Sequence, residues 1–185
     1  MDGTERTRAA ATVDDLYAFH GRAELVGEEL IAMSPTGFQP SRAGLAISVS
    51  LREYERATHH GYAMPDNAAY LVELPGRRSF SPDASFYVGP PTAGKFMEGA
   101  PLFAAEVRSE GDYGPPAEKR IAAKRDEYFA AGTRVVWDVD VLRDGVVRVY
   151  EAQRPGEPRV YRRGQRAEAE PALPGWSMAV DDLLE

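Results

Sequence analysis

The sequence contains no cysteine, only three histidines and only three lysines among its 22 basic residues. Without cysteine, the chain can form neither a disulfide nor a thiolate metal site, which suits a reducing compartment. No apolar run approaches the roughly 18 residues needed to cross a bilayer, and the first ten residues lack the apolar segment of a secretion signal. We therefore expect a cytoplasmic protein with no membrane partner.

Positive charge is also scarce: 29 acidic residues exceed 22 basic ones, so the net charge is −7 and the pI is about 5.1. Proteins that coat nucleic acid nonspecifically use clustered Lys and Arg, and this composition counts against that class. It does not exclude a nuclease, because metal-binding acids contribute to the balance and each divalent ion offsets two of them. The 185 residues predict a disordered lead-in over 1–11 and a single domain over 12–185.

The segment Leu102–Ala131 combines a short apolar strand that reaches Glu106, a turn rich in Gly and Pro, and a helix from 117 to 131. This order of elements brings the helix back beside Glu106. Lys124 lies next to the apolar face of the helix, four residues before Tyr128. Because lysine is rare in this chain, a merely solvated cation here would more often be arginine. Two interpretations remain open, an ordinary partly buried ion pair between Glu106 and Lys124 and a reactive site.

A second carboxylate, Asp83, lies in the segment Ser79–Val88, which we predict as one strand with Phe80 and Phe86 on a common face. The proline before the acid implies an edge position or a bend. If this strand neighbours the strand of Glu106, both carboxylates lie at one end of a sheet. Two such carboxylates repel each other unless a cation lies between them, and hard oxygen ligands suit Mg²⁺ or Mn²⁺.

The remaining elements are predicted from periodicity and turn residues. We expect a short helix capped by Thr12, a hairpin over 23–31, a helix over 41–57, strands over 68–74 and 134–140, and a hairpin around Asp144-Gly145. Glu24 and Glu29 on the first hairpin are both candidates to reach the site. Arg77 and Arg78 form the nearest basic pair in sequence, and we interpret them as solvated turn residues rather than phosphate contacts.

Several of these motifs, in this order, resemble the Uma2 (DUF820) family of endonucleases in the PD-(D/E)XK superfamily. They are Pro82-Asp83, Glu106-Val107-x-Ser109, Lys124-x-x-x-Tyr128, Gly132 and Trp137. The likeness extends from residues 24–35 to the closing Leu173-Pro174-Gly175-Trp176. Two positions depart from the pattern: Pro40 stands about where the family often has a histidine, and Arg108 stands where the superfamily usually has its lysine. The family takes its lysine from the following helix instead, where Lys124 lies.

The resemblance implies an α/β fold of the mixed α+β kind, with a restriction-endonuclease-like central mixed sheet, flanking helices and added hairpins. It implies a metal-dependent endonuclease in which Asp83 and Glu106 hold Mg²⁺ or Mn²⁺, the Val107 carbonyl is a further ligand and Lys124 acts on the attacking water. The family's N-terminal acid would complete the ligand sphere, and for this role we favour Glu29. The partner would be nucleic acid, with DNA preferred.

A homodimer is plausible under this hypothesis, since two sites are needed to cut both strands of a duplex at once. The main alternative function is a catalytically silent binding or assembly module on the same fold. A hydrolase of a small phosphodiester is a third interpretation.

Overall fold

The computed structural model describes residues 10–185, so residues 1–9 of the expected lead-in lie outside the described residues. In the described part, helices α1–α3 cover Val13–Ala18, Phe38–Thr58 and Pro115–Ala130. Strands β1–β13 cover Ala23–Val26, Glu29–Ala32, Tyr62–Met64, Tyr70–Leu74, Arg77–Phe80, Ala84–Tyr87, Met97–Glu98, Phe103–Val107, Val135–Asp140, Val146–Glu151, Arg154–Tyr161, Arg166–Glu168 and Ser177–Ala179. None of the helices within residues 10–185 is long and apolar enough to cross a membrane.

The strands form a six-stranded sheet in the order β11-β10-β9-β8-β6-β3, a five-stranded sheet in the order β2-β1-β5-β4-β7, and the pair β12-β13. In the six-stranded sheet β8 and β9 are parallel, and the other neighbours are antiparallel. The sheet is therefore mixed. Together with the flanking helices and the added hairpins, it confirms the fold class expected from the sequence.

Prolines mark the starts of the two long helices. Pro115 and Pro116 occupy the first positions of α3, where a missing N–H costs nothing because those donors have no partner within the helix. Pro40 likewise lies in the first turn of α2, which begins at Phe38, ahead of the predicted start at 41. The short helix α1 is capped by Thr12 as expected, through reciprocal hydrogen bonds with Asp15.

Helix α3 connects the parallel strands β8 and β9 and returns beside Glu106, as the order of strand, turn and helix predicted. Alternate residues of β8 face opposite sides of the sheet, so Phe103 and Ala105 enter the large core beneath α2. Ala104 enters a second core together with Tyr128 of α3. Glu106 lies on the same face of β8 as Ala104, so its side chain points toward α3.

The large core consists mainly of packed aromatic and aliphatic side chains, and residues near the end of the chain contribute to it. Ile47 and Leu51 of α2 are fully buried in it. Trp137 of β9 stacks on Trp176 with ring centroids 4.9 Å apart, and Phe103 meets Trp176 edge-on at 5.4 Å. The closing segment therefore packs Trp176 back onto the central sheet.

The prediction of one continuous strand over Ser79–Val88 is wrong. The chain forms β5 up to Phe80 and β6 from Ala84, and these strands belong to different sheets. Pro82 lies in the break, where the chain passes from one sheet to the other. As a result Phe80 packs in the second core, stacked on Tyr128 at 4.0 Å, whereas Phe86 packs in the large core.

Gly61 occupies a position that no other residue fits, with φ of +72° and a Cβ that would lie 2.6 Å from both the Phe86 ring and the Tyr87 carbonyl oxygen. We expect Gly61→Ala to lower the free energy of unfolding by about 3 kcal/mol, because overpacking adds to the strained backbone. Urea unfolding followed by tryptophan fluorescence measures this loss.

The matched control is Gly111→Ala, since Gly111 has an ordinary φ and no heavy atom within 4 Å of its Cβ position. Its free energy of unfolding should change by less than about 0.5 kcal/mol. Equal losses in the two variants would contradict the steric argument.

Candidate active site

Asp83 and Glu106 lie at the same end of neighbouring strands. The antiparallel register pairs Ala84 with Ala105, so Asp83 and Glu106 are the next pair. The backbone N–H of Asp83 donates to the Ala105 carbonyl at 3.1 Å, and the N–H of Val107 donates to Asp83 Oδ2 at 2.7 Å. The side chains of Asp83 and Glu106 remain 15% and 26% exposed, so both are within reach of a substrate.

Helix α3 brings two side chains to Glu106. Lys124 Nζ lies 2.8 Å from Glu106 Oε1, and the Tyr128 hydroxyl donates to the same oxygen at 2.7 Å. The two residues are one helical turn apart on one face, and the Lys124 ammonium lies 5.8 Å from the centre of the Tyr128 ring. The predicted convergence of Asp83, Glu106 and Lys124 is therefore what the fold produces.

The acid of the first hairpin that reaches this cluster is Glu24, and the preference for Glu29 is corrected. Glu24 Oε1 lies 2.9 Å from Lys124 Nζ and accepts the Ser81 N–H at 2.8 Å. Glu29 is exposed beside the turn, paired with Val26. A signal for Glu24 was present in the sequence, because this charge lies between the apolar residues Ala23 and Leu25, both of which the structure buries.

Two arginines complete the surroundings. Arg22 Nη1 lies 3.0 Å from Asp83 Oδ1 and 2.7 Å from Asp66 Oδ1. Arg77 lies 2.7 Å from Glu24 and 2.6 Å from Glu127 of α3. Arg77 is buried, so its interpretation as a solvated turn residue is wrong. The turn residues Pro75 and Gly76 gave no sign that the next residue, Arg77, would be buried.

These ion pairs form a connected series in which acid and base alternate. Its members in order are Asp66, Arg22, Asp83, Glu106, Lys124, Glu24, Arg77 and Glu127. The alternation fails at a single step, where Asp83 and Glu106 are neighbours of the same sign. With every group ionised, five carboxylates against three cations leave the series with two negative charges, which is the charge that one divalent cation neutralises.

The pKa values of the two carboxyls at the like-charged step are both raised. Burial raises the pKa of Glu106, and the nearby Asp83 carboxylate raises it further against the opposing effect of Lys124. Burial also raises the pKa of Asp83, although Arg22 opposes the shift. Both carboxyls of the like-charged step are thus held in an environment that disfavours their ionised forms.

Glu24 and Lys124 behave in the opposite sense. Burial works against ionisation of Glu24, but Lys124 and Arg77 outweigh it and lower the pKa of the carboxyl. Burial likewise works against the charged form of Lys124, and Glu106 and Glu24 outweigh it and raise the pKa of the ammonium. Lys124 is therefore held as a cation between two carboxylates.

Arg108, at the position of the superfamily's usual lysine, does not enter the cluster. Its guanidinium forms two hydrogen bonds of 2.6 Å with Asp138 of β9 and also binds Glu118 in the first turn of α3. Arg108 therefore fastens the start of α3 to the sheet, while Arg77 and Glu127 fasten its end. Lys124 and Tyr128 lie between these two ends.

The donor set is small for a metal centre. Within residues 10–185, no group of three or more His, Cys, Asp or Glu side chains is placed to hold a metal ion. The hard oxygen donors Asp83 and Glu106 still suit Mg²⁺ or Mn²⁺ in chemistry, and their uncompensated pairing suits a divalent charge. A metal at this position would take its remaining ligands from water, from substrate or from backbone, as Mg²⁺ commonly does.

The site thus consists of two carboxylates and a lysine at one end of a mixed sheet. A solved structure from Anabaena variabilis ATCC 29413, described as a putative nuclease belonging to DUF820, is similar in fold with a TM-score of 0.74 and 16% identity. The match covers 94% of this chain and 97% of that chain.

The sequence also matches the Uma2 family, described as "Putative restriction endonuclease", over residues 13–181. No curated protein matches the sequence. The chain belongs to the Uma2 family, as the motifs indicated.

Proposed function

We propose that this protein is an endonuclease that hydrolyses phosphodiester bonds of nucleic acid, with DNA as the favoured substrate, in a reaction that depends on Mg²⁺ or Mn²⁺. The observation that carries the proposal is the like-charged step between Asp83 and Glu106 within an otherwise alternating series of charges. A charge arrangement of this kind costs folding free energy and needs a compensating function. Membership of a nuclease family supports the same conclusion.

Asp83 and Glu106 would hold the metal, and the Val107 carbonyl is a further candidate ligand. When bound, the metal would supply a water of lowered pKa and neutralise charge on the phosphate. Lys124 would orient the attacking water through its ammonium and stabilise negative charge that develops on the phosphate oxygens. Glu24 would hold Lys124 in place, since its carboxylate lies 2.9 Å from the ammonium. Tyr128 would fix the rotamer of Glu106 through its 2.7 Å hydrogen bond.

The proposal is tested by cleavage of supercoiled plasmid and of single-stranded DNA with Mg²⁺, with Mn²⁺ and with EDTA. Cutting that requires the metal supports the endonuclease assignment. If the folded protein cuts neither substrate and calorimetry detects no Mg²⁺ or Mn²⁺ binding at millimolar concentration, the alternative of a catalytically silent module replaces it. Metal binding without cutting would direct the search to RNA or to a small phosphodiester.

Arg22 makes a separate prediction about metal affinity. Asp83 Oδ2 already accepts the Val107 N–H, and Arg22 holds Oδ1, so a metal ion has to share or displace the contact with Arg22. Removing this competing charge in Arg22→Gln should tighten Mn²⁺ binding by roughly threefold to tenfold. Isothermal calorimetry measures the change. The control is Arg78→Gln, an exposed arginine, and equal or weaker binding by Arg22→Gln would show that Arg22 does not compete.

A further inference from the structure

The outward face of α2 carries an apolar stripe that nothing covers within the described residues. Ile47 and Leu51 on the inner face are fully buried, whereas Phe38, Leu45 and Val49 are 80%, 56% and 53% exposed. The spacings of seven and four residues place these three side chains on one stripe of the helix. Single exposed apolar residues are ordinary on protein surfaces, but an aligned set of large ones marks an interaction surface.

We propose that a second copy of this chain packs on this stripe, with the two α2 helices antiparallel about a two-fold axis. The first argument is the charge of the stripe's border. Arg42 and Glu53 lie on the same side of the stripe, eleven residues or about 16 Å apart along the helix. Neither forms an ion pair within residues 10–185, unlike the neighbouring Arg52, which binds Glu55.

A two-fold axis midway between these charges, at the level of Ile47 and Ser48, gives each of them an oppositely charged partner. An antiparallel partner then places the partner's Glu53 against Arg42 and the partner's Arg42 against Glu53. Such reciprocal contacts are what an isologous interface requires. A parallel arrangement would instead set Arg42 against the partner's Arg42, which repels.

The second argument is the shape of the same surface. A recess of about 370 Å³ lies on this surface, and its lining includes Leu45 and Val49 of the stripe, Ala46 and Met178, and the charged residues Arg42, Glu53, Asp182 and Glu185. The axis that pairs Arg42 with the partner's Glu53 also sets the partner's Val49 opposite Ala46. A large side chain thus meets a small one on each side of the axis, which allows the two helices to approach closely. The register chosen from the charges is therefore also compatible with the shape of the surface.

The test is the mass of the full chain by light scattering and sedimentation equilibrium over a concentration series. We expect a dimer whose dissociation constant rises at least about a hundredfold in Leu45→Glu, because two copies of the apolar contact are lost. Arg42→Glu and Glu53→Arg should each raise it by about tenfold. The double variant Arg42→Glu with Glu53→Arg should restore the dimer, because each reversed charge again meets its opposite.

Arg120→Glu, an exposed charge reversal on α3, is the control and should leave the dissociation constant unchanged. Circular dichroism checks that each variant is folded, and these substitutions are on exposed positions. Three results would overturn the proposal: a monomer at all concentrations, a dimer that Leu45→Glu does not weaken, or a double variant that does not recover. The test does not use cleavage, so its outcome is separate from that of the proposed function.

Discussion

Glu106→Gln should reduce the rate of metal-dependent DNA cleavage by at least about a thousandfold while leaving the protein equally or more stable. The loss arises because Gln removes one of the two carboxylates at the like-charged step, and with it the affinity for a divalent ion and the anchor of Lys124. Initial rates of plasmid nicking at saturating Mg²⁺ measure the effect.

The stability of the same variant separates a catalytic role from a structural one. Burial and Asp83 raise the pKa of Glu106 in the folded protein, so its ionised form opposes folding as the pH rises above the ordinary range of a carboxyl. A neutral Gln removes this cost, while Lys124 keeps its contact with Glu24. The melting temperature should therefore stay the same or increase.

The matched control is Glu110→Gln, an exposed carboxylate four residues further along the chain. It removes the same charge from the protein without touching the cluster, and it should cut at the wild-type rate. Full activity in Glu106→Gln would refute the assignment of Glu106. A loss of activity accompanied by a large loss of stability would instead show a structural role.

Arg77→Met should lower the free energy of unfolding by about 3 kcal/mol. The side chains of Arg77 and Glu24 are each only 7% exposed, and removing one member of a buried ion pair leaves the other charge uncompensated. The variant also loses the contact of the guanidinium with the Phe80 ring, 4.9 Å away, and the attachment of Glu127. Urea unfolding followed by tryptophan fluorescence gives the value.

Two further variants make this result specific. Arg78→Met, at the exposed neighbouring position, should change the free energy of unfolding by less than about 0.5 kcal/mol. Combining Arg77→Met with Glu24→Met should recover part of the loss, because a well-packed apolar pair can replace a buried ion pair. A single variant as stable as wild type would mean that Arg77 contributes no net stabilisation.

The convergence of Asp83, Glu106 and Lys124 could be predicted because the position of each residue follows from the order of neighbouring elements along the chain. A strand that ends in an acid, followed by a turn and a helix, returns the helix to that acid. Two neighbouring strands place their ends together, and one register step then fixes the pair. The motif resemblance added the protein family, and the family match over residues 13–181 agrees with it.

The positions of Glu24 and Arg77 in the cluster could not be derived from the order of neighbouring elements. Glu24 and Arg77 belong to the five-stranded sheet, whose position against α3 is set by packing of Phe80 on Tyr128 rather than by any nearby sequence signal. Periodicity also suggested a single strand through Pro82, because an alternation of apolar residues does not reveal that its two halves face different cores. Tertiary contacts decided both points.

The ion pairs at the two ends of α3 make the attachment of this helix sensitive to ionic strength. Both ends of the helix are attached to the sheets by charged contacts, through Glu118 and Glu127, whose side chains are 51% and 29% exposed. Dissolved ions screen contacts that water reaches, whereas they do not weaken the apolar stacking beneath the helix. A higher ionic strength should therefore favour local opening of α3, the helix that carries Lys124, while the strands beneath it stay closed.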